Sequence, residues 1–153
     1  MYDINFFNQT IDIFSTIIIF LLGIFFINQI ANAFKATKRR AFGLYVWHSI
    51  FSLVYAFLSL TMPADTSIYY LQSLNNLPEF NLGTNAVVYL TAIFTSNLGL
   101  SYLGVFLVFN IFGTIGLLAV DASLRHATEK KSNFIKFLAL LVVLLPSMNF
   151  WTS

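Results

Sequence analysis

The chain has 153 residues, of which 58% are hydrophobic and only 9% are charged. Soluble domains carry about 25% charged residues, so this composition excludes an ordinary water-soluble fold. The net charge of +2 is no nucleic-acid signal, because the basic residues flank apolar runs instead of forming a patch, and the absence of Cys excludes disulfides and thiolate metal sites.

The leading segment holds Asp3 and Asp12 and no basic residue. A cleaved signal peptide starts with positive charge, so the first apolar run reads as a retained helix. Asn8-Gln9-Thr10 is formally a glycosylation acceptor, close to the membrane and read as incidental. The first run, residues 13–34, is long enough for a hydrocarbon core that takes about 20 apolar residues to cross as helix. Lys35, Lys38, Arg39 and Arg40 follow it, and a second uncharged run, residues 41–61, stops before Pro63.

A long loop, residues 62–99, comes next. It contains Asp65, Tyr69, Tyr70, Gln72, Asn75, Asn76, Glu79 and Asn81, and no Lys or Arg. A short helix here sets Tyr69 and Tyr70 one turn from Asp65. A carboxylate at that position can act as general base on a hydroxyl, with the rings stacking on a sugar; the plainer reading is a capping Asp and an aromatic belt. Within the loop, residues 85–97 are apolar but too short to cross alone, and Thr84, Thr91 and Thr95 fall near one face, as in an interfacial or re-entrant helix.

The third run, residues 100–120, ends at Asp121, and its Asn110, Gly113, Gly116, Ala119 and Ser123 recur every three or four residues. Such a small-residue stripe suits close helix packing, with Asn110 bonding across to a neighbour. Arg125, Lys130, Lys131 and Lys136 then form the second basic cluster. The fourth run, residues 134–150, is shorter, with Pro146 bending or ending it near the far interface. His48, inside the second run beside Trp47, reads as a neutral structural group and His126 as a solvated one. No phosphate-binding Gly loop, zinc-type His pair or Ser-nucleophile elbow occurs.

Both basic clusters belong on one side of the membrane, the inner one, and an even number of crossings separates them. The expected fold is therefore an all-α integral membrane domain covering residues 1–153: four transmembrane helices, a short interfacial or re-entrant helix in the outer loop, and both termini outside.

Three segments together carry a family resemblance. The outer loop opens Ala64-Asp65-Thr66-Ser67-Ile68-Tyr69-Tyr70; Asn97-Leu98-Gly99-Leu100-Ser101-Tyr102 leads into the next span; the chain closes Pro146-Ser147-Met148-Asn149-Phe150-Trp151-Thr152-Ser153. This resembles the N-terminal part of multi-span bacterial polysaccharide polymerases and C-type glycosyltransferases, in which a Pro-Ser-x-x-x-Trp-(Ser/Thr)-Ser run continues into Gly and then Lys-Asp or Lys-Glu. The resemblance implies a bacterial inner-membrane protein acting at the outer face on polyprenyl-linked sugars. It makes Asp65 the candidate base for the acceptor hydroxyl, with Tyr69, Tyr70 and Trp151 bordering the sugar or lipid carrier and no metal or other cofactor assigned. A sugar diphosphate lipid also needs a cation, and the outer side offers none. Missing C-terminal spans or a partner subunit would have to supply it. The readings from other classes are a non-enzymatic four-helix scaffold or assembly subunit, and a transporter fragment.

Overall fold

The computed structural model describes residues 4, 7, 9–62, 64–75 and 79–151, with the side chains of Asn75, Phe150 and Trp151 outside that description. Asp3, Asn8, Pro63 and Asn76 also lie outside it. Among the described residues every regular element is helical: α1 (Thr10–Ile30), prolonged by a 3-10 turn (Ala31–Phe34); α2 (Lys38–Thr61); α3 (Asp65–Asn75); α4 (Thr84–Ala92), prolonged by a π-helical turn (Ile93–Asn97); α5 (Tyr102–Thr128); α6 (Asn133–Leu144); and α7 (Pro146–Trp151).

Among the described residues three helices are long and apolar enough to cross a membrane: Thr10–Phe34, Lys38–Thr61 and Tyr102–Thr128. At 1.5 Å per residue α2 rises about 36 Å, more than the roughly 30 Å hydrocarbon core. α6, with 12 residues, rises only about 18 Å. The fourth apolar run is therefore two helices, broken at Leu145-Pro146. Next to the break, the Trp47 Nε1 proton, about 14 Å along α2, is donated to the Leu144 carbonyl at 3.1 Å. The break is satisfied internally: Asn149 Nδ2 donates to the carbonyls of Val143 (3.2 Å) and Leu145 (2.9 Å). Backbone groups freed by a proline inside a membrane persist only with such partners.

Exposure is inverted relative to a soluble bundle. Ile11, Phe14, Ile17, Ile18, Leu21, Leu22 and Phe25 of α1 are exposed, whereas Thr16, Ser49, Ser52, Ser59, Asn110 and Thr114 are buried. α5 is the centre, packed on α1, α2 and α6. One apolar cluster, around Ile27, Tyr45, Leu117 and Leu118, fills one half of the bundle; another, around Ala56, Tyr70, Tyr102 and Phe106, fills the other.

Between them runs a polar layer. Asn110 Nδ2 donates to Ser49 Oγ and Ser52 Oγ donates to Asn110 Oδ1, each at 2.9 Å, while Ser49 Oγ passes its own proton to the Tyr45 carbonyl. Asn110 thus makes the interhelical bonds its sequence position predicts. Asn110→Ala is expected to lower stability in detergent by about 1 kcal/mol, and a double-mutant cycle with Ser52→Ala should return a coupling of about 0.6 kcal/mol. Additivity of the two changes would remove the bond from the account.

Beyond Gly113, which is half-buried, the expected stripe separates from Asn110. Gly116, Ala119 and Ser123 are exposed, and nothing lies within 4 Å of where a Gly116 Cβ would stand. The threonines of the loop divide, with Thr84 exposed at the start of α4. Thr91 and Thr95 are buried, Thr95 Oγ1 donating to Ser73 Oγ of α3 at 3.3 Å, while Leu82, Val87, Leu90 and Leu98 are exposed.

Candidate functional site

The two ends of the bundle differ. The end of α1, the start of α2, the end of α5 and the start of α6 meet, bringing all eight Lys and Arg residues to one end, the basic end. α3 and α4 cover the opposite end.

At that opposite end a cavity of about 200 Å³ lies between α3, α4 and α5. α3 contributes Thr66, Tyr69 and Tyr70; α4 contributes Val87 and Thr91; α5 contributes Tyr102, Val105, Phe106 and Phe109. Tyr102 organises it. Its ring meets Tyr70 edge-on at 4.9 Å and Phe106 at 5.0 Å. Its hydroxyl lies 2.7 Å from Ser59 Oγ. Ser59 already donates its single proton to the Ala56 carbonyl at 2.8 Å, so Tyr102 is the donor. One tyrosine therefore ties the ends of α2, α3 and α5 together and fixes the cavity's inner wall. The fold sets it there because Ser101 caps α5, accepting from Gly104 N–H, immediately after Gly99 turns the chain with φ 61°.

Asp65, Tyr69 and Tyr70 do lie on one short helix. Tyr69 and Tyr70 both line the cavity, Tyr70 buried and Tyr69 half-buried. Asp65 is exposed in the first turn of α3, one turn from Tyr69, and does not line the cavity. The backbone of Trp151 ends α7, which packs mainly on α2 and α6. The walls are aromatic and aliphatic, with Thr66 and Thr91 among them, an environment for an apolar chain or a flat ring face and not for a bare anion. Among the described residues no three of His, Asp and Glu stand close enough together to hold a metal ion.

The basic end holds a constellation that hydropathy conceals. Asp121, 1% exposed, accepts a fork from Arg40 (Nε to Oδ2 2.9 Å, Nη2 to Oδ1 2.6 Å) and a third bond from Arg125 Nε at 2.8 Å. Arg125 reaches on to the carbonyls of Lys35 (2.7 Å) and Phe34 (2.8 Å). Lys35 there adopts φ 51°, a left-handed conformation that costs a non-glycine residue about 1 kcal/mol or more. The clamp thus joins the α1–α2 turn, α2 and α5. α5 runs past the end of the apolar run at Asp121 to Thr128, and the two guanidiniums neutralise the buried carboxylate. Its signal was present in sequence as Asp121 and Arg125 four residues apart on one helix. His48 is fully buried and His126 is exposed, 4.0 Å from Glu129.

No protein-family model, curated protein or solved structure matches this chain.

Proposed function

We propose that this chain is part of an envelope glycosyltransferase or polysaccharide polymerase that works on lipid-linked sugars at the outer face of a bacterial cytoplasmic membrane. The observation that carries the reading is the aromatic cavity between α3, α4 and α5, with Tyr69 and Tyr70 on its wall and the Asp65 carboxylate exposed one turn away. Such a cavity takes the first isoprene units of a carrier or the face of a sugar, and leaves Asp65 in water to accept a proton from an acceptor hydroxyl. α6 and α7 together form the fourth crossing, and the basic end faces the cytoplasm, which sets both termini outside. The carrier's diphosphate needs a cation at the outer face; further spans or a partner subunit supply it, since all eight Lys and Arg gather at the basic end.

In cells that depend on this protein, Asp65→Asn is expected to abolish envelope polysaccharide while leaving the amount of chain in the membrane unchanged. Polysaccharide made at the normal level by that variant would remove Asp65 from the chemistry. A second reading, a non-enzymatic four-helix assembly subunit, draws on Gly116, Ala119 and Ser123, which remain uncovered on α5. It predicts that Asp65→Asn is silent and that bulky residues at Gly116 disrupt an assembly. A transporter reading draws less support, because the carbonyls around the Pro146 break that could coordinate an ion are already engaged by Trp47 and Asn149.

A further inference from the structure

At the basic end α2, α5 and α6 leave a second cavity, about 430 Å³ in volume. Arg40, Asp121 and Arg125 form one wall, Lys136 stands on α6, and Phe137 and Leu140 continue along the same helix. Glu129 also borders it, so three cations meet two carboxylates and one positive charge is left over. The cavity is lined by the first turns of α6 and the last of α5, which is the depth of lipid headgroups for spans of this length. A guanidinium has five N–H donors, and Asp121 takes two of them from Arg40. The fork also fixes Arg40 in one geometry, so little ordering remains for a second acceptor to impose.

We propose that this cavity binds the phosphodiester headgroup of an anionic phospholipid. The phosphate sits against Arg40 and Lys136, and one acyl chain runs along Phe137 and Leu140. Basic pockets between transmembrane helices recognise headgroups in this way, through one charge that must be met and one apolar chain that must be covered. The assignment is independent of the reading at the opposite end, and shares no residue with it.

The test uses the full chain in phosphatidylcholine nanodiscs with and without phosphatidylglycerol, counting retained lipids by native mass spectrometry after release into detergent. Phosphatidylglycerol should be retained preferentially. Lys136→Ala should weaken that retention about fivefold, the weight of one cation near an anionic surface. Lys136 takes no part in Asp121's ion pairs, so the variant should unfold like the parent in pure phosphatidylcholine. Lys130→Ala, a cation of the same end outside the cavity, should leave retention within about twofold of the parent. Equal retention of the two lipids would overturn the proposal, as would equal losses from the two lysine variants, which would indicate diffuse surface attraction. A melting temperature in phosphatidylcholine raised as much by millimolar inorganic phosphate as by added phosphatidylglycerol would assign the cavity to a free anion and overturn the lipid.

Discussion

Asp121→Asn is expected to destabilise the protein by about 3 kcal/mol, more than any other single polar substitution in the bundle. The carboxylate is buried and engages three N–H groups from two arginines. An amide of the same shape keeps at most the acceptor oxygen, turns an NH2 toward a guanidinium, and leaves two cations facing each other. Both arginines are about a third exposed, 31% and 32%, so water screens part of that repulsion, and the cost falls at the low end of the range for breaking a buried pair. The loss should also be local before it is global. Arg125 secures the left-handed turn at Lys35, so proteolysis between α1 and α2 should accelerate at temperatures where the rest of the bundle stays folded. Adding Arg40→Gln to Asp121→Asn removes one unneutralised cation and should recover part of the loss. A melting temperature unchanged in Asp121→Asn, measured in the same detergent as the parent, would show that the clamp holds nothing.

How much of this was legible in the sequence depends on which physical signal each feature leaves. Hydropathy is strong over residues 13–34, 41–61 and 100–120, and all three appear as helices close to those bounds, extended where polar residues cap them: Thr37 accepts from Arg40 N–H at the start of α2. Segregation of the basic residues predicted that both clusters share one end, and the Arg40–Asp121 and Arg125–Lys35 contacts span them. Hydropathy does not show the two guanidiniums that neutralise Asp121, and although Pro146 announces the break in the fourth run, it does not name the distant donors that meet the freed carbonyls. The helical period placed Tyr69 and Tyr70 one turn from Asp65, but period does not say which side of α3 faces protein. That is decided by Tyr102, 32 residues beyond Tyr70, whose ring packs on Tyr70. The polar stripe Ser49, Ser52, Ser59 on α2 was equally readable at helical spacing. Its meaning depended on partners on another helix, Asn110 for Ser49 and Ser52 and Tyr102 for Ser59.

Gly23→Ala is expected to destabilise by about 2 kcal/mol, although helix propensity alone predicts the opposite sign. Glycine in a helix interior costs about 1 kcal/mol relative to alanine, so at an open position the change is favourable. Gly23 is buried on the face of α1 turned to Tyr45. A Cβ there would overlap the Tyr45 hydroxyl and stand 2.7 Å from Cζ of the same ring and 3.1 Å from Ile111 Cγ1. The ring cannot simply swing aside. Tyr45 is fully buried, its hydroxyl donates to the Phe20 carbonyl at 3.2 Å, and its face packs on Phe20 with centroids 5.4 Å apart. Either α1 moves away from α2 and α5, or Tyr45 loses its hydrogen bond and its rotamer. Gly116→Ala on α5 supplies the comparison, since open space surrounds that position and the substitution should be neutral or stabilising by up to about 1 kcal/mol. Tyr45→Phe removes the nearest clashing atom, so Gly23→Ala combined with Tyr45→Phe should melt above Gly23→Ala alone, even though Tyr45→Phe by itself costs a hydrogen bond. Unfolding of the three variants in one detergent, each against the parent, decides it. If Gly23→Ala stabilises as Gly116→Ala does, α1 is not seated against Tyr45, and the close approach that joins the first span to the bundle is wrong.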